Sequence, residues 1–273
     1  MNSLLAALER LDAKKNEEWL AELNDRKKAE LSFHDKQRAD GADVADSNKK
    51  YYSVTHGVND YVQNWIASKV KGKVFLDYAC GNGQSARLAA MAGAELAVGI
   101  DISRVSIENA RQLAAQEGLS HNTFFVQADC ENTLLPGNSF DFALCCGMLH
   151  HLDLNQAIPE LQRILKQGGT CLAEEALNYN PAIWLYRKLT PHLRTDWEKR
   201  HILSLRDVRF IRQFLDVQDI RYWHLAALLV TPFRNSSFFG KALAAGDAID
   251  SVALRVWPIR LMAWMFTFEM VKH

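Results

Sequence analysis

The chain has 273 residues, of which 48% are hydrophobic, and its 32 basic side chains balance 32 acidic ones. Such a chain can bury a core without disulfide or metal support, and zero net charge disfavours nucleic-acid binding through a broad basic surface. The start lacks a secretory-signal pattern, and the longest apolar runs fall short of the ~20 residues that cross a bilayer. Five cysteines without C-x-x-C spacing argue against a disulfide framework or a zinc site. We therefore expect a cytoplasmic protein with reduced thiols and no transmembrane segment.

The first 50 residues are dense in charge, since 21 of them are Asp, Glu, Lys or Arg. Leu4, Leu8 and Leu11 form a narrow apolar stripe at helical spacing, which predicts one or two amphipathic helices packed on the rest of the chain. The small, polar stretch 39–48 predicts a linker. We therefore predict an N-terminal helical cap over residues 1–50, with a solvated charged face that could also mediate a homodimer.

From residue 73 onward, short apolar runs alternate with helical segments of about ten residues. The predicted strands are 74–77, 96–100, 123–127, 140–146 and 170–173, and the predicted helices are 84–91, 105–117 and 158–166. This alternation is typical of crossover units, which build a parallel sheet covered by helices on both faces. The pattern predicts an α/β core over residues 51–178.

After residue 178 the alternation stops. Residues 180–204 are rich in aromatic and basic side chains, and we predict a helical insertion over the carboxyl edge of the sheet. The segments 217–230 and 261–271 are the last two strand candidates, although the apolar stretch 225–230 would also suit a helix. Residues 179–273 are therefore predicted to hold a substrate-side insertion and the strands that complete the sheet.

A glycine-rich turn follows the first predicted strand. Gly81, Gly83 and Ala86 match the G-x-G-x-x-G/A pattern of dinucleotide-binding turns, and Asp101 lies 20 residues beyond Gly81. At the end of the second strand, a carboxylate can accept hydrogen bonds from both hydroxyls of a ribose. NAD and S-adenosylmethionine (SAM) both carry such a ribose, so these features leave both cofactors open.

Further acids favour SAM. Asp77, four residues before Gly81, suits a ligand with a cationic amino group and sits badly beside a pyrophosphate. Asp129 ends the third strand, where it could accept a hydrogen bond from an adenine amine. With the segment 139–152 and a helix closed by Gly168-Gly169, this ordered set spans residues 73–175. It resembles the class I SAM-dependent methyltransferases, although Ala79 and Gln167 replace a glycine and a proline of the family motifs.

The resemblance implies a Rossmann-like, seven-stranded, mostly parallel sheet with strand order 3-2-1-4-5-7-6 and an antiparallel last strand. It also implies SAM as cofactor and S-adenosylhomocysteine (SAH) as product. The implied SAM-binding residues are Asp77, Ala79, Gly81, Gly83, Asp101, Ile102, Asp129, Cys130 and Cys146. The first four would line the methionine part, the next two would hold the ribose and adenine, Asp129 and Cys130 would face the adenine edge, and Cys146 would lie near the sulfonium.

Acceptor-side residues are predicted less directly. His151 and Glu174 are candidate general bases, because an imidazole or carboxylate near the methyl group could take a proton from a hydroxyl. Adjacent helical residues do not face each other, so at most one of His150 and His151 points at the substrate. The predicted substrate-binding residues are Tyr51, Tyr52, His150, Tyr179, Arg187 and His192, the first two as a lid and the basic ones for an anionic acceptor. No metal site is predicted.

We expect methyl transfer to a small molecule, first of all to a hydroxyl of a sugar or secondary metabolite. Carbon methylation of a prenyl diphosphate or a quinone-like compound is an alternative, in which a metal ion would arrive with the diphosphate. Two hypotheses from other classes stay open: an NAD(P)-dependent oxidoreductase and a non-catalytic Rossmann-type partner subunit.

Overall fold

The computed structural model describes residues 1–39 and 53–273, without the side chains of residues 37–39. Most of the predicted linker 39–48, and both Tyr51 and Tyr52 of the predicted lid, lie outside the described residues. The helices are α1 (Asn2–Asp12), α2 (Asn16–Glu22), α3 (Asp25–Ala39), α4 (His56–Lys69), α5 (Gln84–Met91), α6 (Arg104–Gln116), α7 (Leu154–Ile164), α8 (Pro181–Leu189), α9 (Leu205–Ile211) and α10 (Phe239–Ala253). The strands are β1 (Val74–Tyr78), β2 (Leu96–Asp101), β3 (Thr123–Gln127), β4 (Phe140–Cys146), β5 (Leu165–Ala176), β6 (Asp216–Trp223) and β7 (Met265–Val271).

The seven strands form one sheet in the order β3-β2-β1-β4-β5-β7-β6. Strands β1 to β5 run parallel, and β7 pairs antiparallel with both β5 and β6. The predicted strand order and the antiparallel last strand are therefore confirmed. Strand order reverses between β1 and β4, and an open parallel sheet binds its ligands beyond the carboxyl ends of the strands at such a point.

Helices cover both faces of the sheet. On one face, Leu4, Leu8 and Leu11 of α1 are buried in the same apolar cluster as residues of α7 and α9. On the other face, α4, α5 and α6 pack over a second cluster that includes Phe75 and Phe125. The predicted apolar stripe of α1 is thus buried within its own chain. These three leucines are therefore not available for a dimer contact. A homodimer through the N-terminal helices stays a prediction.

The segment between the last two strands departs from the prediction. The predicted strand 217–230 ends at Trp223, and a 3₁₀ segment, Ala227–Phe233, follows. The cause is buried Asp250, whose carboxylate accepts hydrogen bonds from the backbone N–H groups of Leu225, Ala226 and Ala227 at 2.7–3.2 Å. These bonds hold the chain in a turn, and α10, which supplies Asp250, was not predicted.

Gly83 is expected to tolerate no side chain. Its φ is +74°, and a Cβ there would lie 2.5 Å from the ring of Phe125 and 2.9 Å from the Cβ of Ala110. We expect Gly83→Ala to lower the free energy of unfolding by about 2–4 kcal/mol, because left-handed strain adds to overpacking. Gly118, with a φ of +73° and open space around it, is the matched control. Its alanine variant should lose only about 1 kcal/mol in urea unfolding; equal losses would show that packing against Phe125 is unimportant.

Candidate active site

The turn after β1 is fixed by an acid from the neighbouring strand. The N–H of Gly81 donates to Oδ2 of Asp101 at 2.8 Å, and the N–H of Ser103 donates to Oδ1 at 2.8 Å. Ala79, at the position of a family glycine, adopts a φ of 60°. Asp101 therefore holds the glycine turn in place.

A cleft with about 720 Å³ of empty space, including the solvent at its open mouth, lies beside this turn. Its walls are Arg26, Lys27, Glu30, His34, Ala79, Asp101, Ile102, Asp129, Cys130, Glu131, Cys146, Gly147, Met148, His151 and Leu152. Six of the nine predicted SAM-binding residues are among them, while Asp77, Gly81 and Gly83 are not. The cleft brings together the ends of β1, β2, β3 and β4, as the motif order predicts.

Asp77 lies beneath the turn. Its carboxylate is buried and accepts a hydrogen bond from the N–H of Ala86, in the first turn of α5, at 3.0 Å. Burial raises the pKa of Asp77 to about 7, and the charge of Asp101 adds to the rise, although the bond from Ala86 opposes it. Here Asp77 anchors α5 to β1; the contact with the cofactor's amino group stays a prediction.

The two adjacent glutamates at the end of β5 point to opposite faces of the sheet. The thiol of Cys146 donates to Oε2 of Glu174 at 3.3 Å, and burial raises the pKa of Glu174 to about 7. Glu175 accepts the N–H groups of Met148 and Leu149 and pairs with Nδ1 of His150 at 2.6 Å. Neither glutamate lines the cleft, and neither does His150, which is held in this buried pair with its ring centroid 4.3 Å from that of His151.

His151 faces the cleft instead. Its Nδ1 lies 3.0 Å from Oε2 of Glu30, whose other oxygen accepts a hydrogen bond from the Thr195 hydroxyl. Burial acts to raise the pKa of Glu30, but the hydrogen bond and charge of His151, together with Thr195, hold it below its usual value. The carboxylate thus fixes the orientation of the imidazole and leaves its Nε2 for another partner. Of the adjacent histidines His150 and His151, only His151 lines the cleft.

Helix α3 supplies one wall of the cleft, whereas the sequence predicts a solvated charged face for this region. Lys27 Nζ lies 2.6 Å from Asp129 and 2.8 Å from Glu131, and Arg26 pairs with Glu131 and donates to the carbonyl of His151 at 2.9 Å. Burial acts to lower the pKa of Lys27, yet the bonds to the two acids leave it raised. The signal in the sequence is the i, i+4 spacing from Arg26 to Glu30 and on to His34, a pattern that solvated helices share.

Three predicted substrate residues lie away from the cleft. Tyr179, Arg187 and His192 are all absent from the cleft wall. The hydroxyl of Tyr179 accepts a hydrogen bond from the N–H of Leu205 at 3.1 Å, and His192 is exposed. Basic residues do reach an adjoining hollow, which Arg26, Arg194 and Arg200 line together with Trp197. Arg26 lies over the ring of Trp197 at 4.7 Å.

Glu30, His34 and His151 could also hold a divalent cation, because one donor atom from each lies within 4.8 Å of the others. We expect them not to do so, since Glu30 is already bonded to His151 and Thr195 and the cations Arg26 and Lys27 line the same cleft. After dialysis against EDTA, one equivalent of Zn²⁺ should leave the thermal unfolding temperature unchanged. A rise that Glu30→Gln abolishes would contradict this prediction.

The donor set fits SAM. The carboxylates of Asp101 and Asp129 suit ribose hydroxyls and an amine, and Ile102, Met148 and Leu152 provide apolar walls for a ring. A pyrophosphate fits poorly, because both cations of the described wall belong to α3 and are paired with acids. Lys27 holds one oxygen of Asp129, so an adenine amine would share that carboxylate with it.

The fold and these motifs together resemble those of class I SAM-dependent methyltransferases. Residues 76–173 match the family profile described as "Methyltransferase domain". The resemblance that the motifs carried is therefore confirmed, and SAM is the cofactor of this class.

Individual relatives agree with this assignment. An uncharacterized methyltransferase of Bacillus subtilis, YcgJ, is 30% identical over 55% of this chain and 60% of that protein. A demethylmenaquinone methyltransferase of Bacteroides fragilis is 32% identical over 39% of this chain and 44% of its own length. The chain thus spans about half the length of these relatives. The solved structure of magnesium protoporphyrin IX methyltransferase from Synechocystis, with bound SAH, has the same fold, with a TM-score of 0.61 at 17% identity over 91% of this chain and all of that one.

Among the described residues, no helix combines the length and the apolar character that crossing a bilayer requires.

Proposed function

We propose that this protein transfers the methyl group of SAM to a hydroxyl of a small molecule, such as a sugar or a secondary metabolite. The observation that carries the proposal is that Asp101 and Asp129 line the same cleft as an imidazole held by a carboxylate, His151 on Glu30. The acids suit a nucleoside cofactor, and the imidazole suits a hydroxyl that must lose its proton.

SAM, when bound, supplies an activated methyl group, whose carbon–sulfur bond breaks as the bond to the acceptor oxygen forms. The residues of this chain would orient the reactants: Asp101 holds the ribose, Ile102 packs on the adenine, and Cys146 lies beside the reacting centre. Nε2 of His151 takes the acceptor's proton, and Glu30 stabilises the resulting imidazolium through Nδ1. Because the donor is activated, orientation and exclusion of water supply most of the rate enhancement.

Helix α3 belongs to this proposal, because it contributes Glu30 and the two cations at the cleft. Lys27 and Arg26 tie α3 to Asp129 and Glu131, which lie in the loop after β3. We propose that the substrate enters from the side of the arginine-lined hollow, where Arg194 and Arg200 would attract a negative group.

Carbon methylation of a quinone-like or prenyl diphosphate acceptor is the second candidate. It is supported by the relative named for demethylmenaquinone and by the arginines Arg26, Arg194 and Arg200 in the hollow. In this route the arginines hold a diphosphate. In this route too a proton must leave, from the carbon that gains the methyl group or from the carbon beside it, so the labelled atom of the product, and not the effect of losing His151, separates the two candidates.

The test is a screen with SAM carrying a deuterated methyl group. The protein is incubated with sugars, phenolic metabolites, quinols and a prenyl diphosphate, and products are read by mass spectrometry. We expect one hydroxyl compound to gain one labelled methyl group while SAH forms in equal amount. Labelling of a carbon centre alone would support the second candidate, and oxidation of an acceptor with NAD(P) but no SAM would contradict both.

A further inference from the structure

The segment between β6 and β7 exposes large apolar side chains. Leu229, Phe233, Ile249, Val252 and Trp257 are each 49–76% exposed. None of them lines the cleft or the adjoining hollow. Isolated apolar residues on a surface need no explanation, but a contiguous set marks an interaction site.

Helix α10 shows that the exposed set is continuous. Its buried residues Leu243, Gly246 and Asp250 follow one another at i, i+3 and i+7 and face the protein. Its exposed side carries Ala245, Ile249 and Val252 at i, i+4 and i+7. Val256 and Trp257, which follow the end of the helix, are exposed as well. An exposed apolar stripe of two helical turns is therefore followed directly by two further exposed apolar side chains.

The charges around this stripe have one sign. Residues 227–262 contain four bases, Arg234, Lys241, Arg255 and Arg260, and two acids, Asp247 and Asp250. Asp250 is buried and bonded to three backbone N–H groups. Lys241 lies one turn before Ala245 on the same side of α10, and Arg255 is exposed two residues after the helix ends, whereas Asp247 lies one turn after Leu243 on the inner side. Arg260 also lies over the ring of Trp257 at 4.8 Å.

We propose that α10 and its flanking segments bind the surface of a membrane that contains anionic phospholipids. An outward apolar stripe with Trp and Phe, bordered by Lys and Arg, is the composition of a helix that lies in the lipid interface. The apolar side chains would enter the acyl boundary while the bases meet lipid phosphates. Binding of this kind needs no helix that crosses the bilayer.

A second copy of the chain fits this surface less well. A two-fold dimer would place the surface against itself, so that Arg234, Lys241 and Arg255 would face only like charges. A membrane of negative charge makes the same three bases favourable. The proposal does not depend on the methyl acceptor, because no residue of 227–262 lines the cleft.

The experiment is sedimentation of the full chain with extruded vesicles of phosphatidylcholine containing 30% phosphatidylglycerol, with pure phosphatidylcholine vesicles as a second arm. We expect binding to the mixed vesicles that is weakened at high salt and is much weaker without phosphatidylglycerol. The double variant Val252→Ser/Trp257→Ser should lower the partition coefficient at least about tenfold, and Lys241→Gln/Arg255→Gln should remove its salt dependence. Met91→Ser is the matched control, because Met91 is 60% exposed on α5, away from this surface.

Calorimetric SAH binding, unchanged in all variants, shows that each one folds. No sedimentation with mixed vesicles would overturn the proposal, and so would equal losses in the double variant and in Met91→Ser. Light scattering tests whether a second copy of the chain covers the surface instead. If the wild-type chain is a dimer, the Val252→Ser/Trp257→Ser variant is a monomer and neither binds vesicles, the surface belongs to a second copy.

Discussion

Asp101→Asn is expected to weaken SAH binding at least about 100-fold. The carboxylate can accept two charge-assisted hydrogen bonds from ribose hydroxyls, each worth about 1.5–3 kcal/mol. An amide keeps one acceptor oxygen and turns an NH₂ group toward the N–H of either Gly81 or Ser103, which loses its partner. The same change should therefore also cost about 1–3 kcal/mol of the free energy of unfolding. Calorimetry measures the first effect and urea unfolding the second.

Asp141→Asn is the control that separates binding from stability. Asp141 lies near the start of β4, where it accepts from the N–H of Val74 at 2.9 Å and pairs with Lys166 at 2.7 Å. The two partners hold its pKa low against the opposing effect of burial. We expect a comparable loss of stability with SAH affinity intact. If both variants lose SAH binding equally, or neither does, Asp101 has no specific part in holding the cofactor.

His151→Asn is expected to lower kcat about 10²–10⁴-fold with the acceptor found by the screen, while the Kd for SAH stays the same. This is the range that a positioned general base contributes, and asparagine cannot take the proton. Glu30→Gln should cost less, because glutamine still orients the imidazole but cannot stabilise its positive charge. The measurement is steady-state methyl transfer, with both variants checked for SAH affinity.

The control is His121→Asn, an exposed histidine bonded to the carbonyl of Gly118 far from the cleft, which should leave kcat unchanged. Full activity of His151→Asn on a hydroxyl acceptor would remove the proposed base. Labelling of a carbon centre alone by the wild-type chain would instead favour the second candidate function.

The core of the fold was predictable because its signals are local. Each of the strands β1 to β4 is a short apolar run bounded by turn residues, and the strand order followed from the family resemblance. The segment after β6 could not be predicted in the same way. Its conformation depends on Asp250, whose partners Leu225 to Ala227 are more than twenty residues away in the sequence. In addition, α10 exposes apolar residues on a side where an amphipathic helix would carry polar ones.

The site shows the same division. Asp101, Asp129 and Cys146 follow strands, so topology alone carries them to one edge of the sheet. Glu30 and Lys27 reach that edge only because α3 packs across it. Their contacts could not be predicted, because a charged helical pattern does not show whether the helix meets acidic residues of the protein or water. His150 and His151 could not be separated from the sequence, since only the buried Glu175 decides which imidazole turns inward.

The most direct test of SAM as the cofactor is calorimetric titration of the purified wild-type protein with SAM, SAH and NADH in turn. We expect binding of SAM and SAH in the micromolar range with one site per chain, and no heat from NADH. Binding of NADH without SAM or SAH would contradict it, because the acids of the cleft would then be holding a pyrophosphate cofactor.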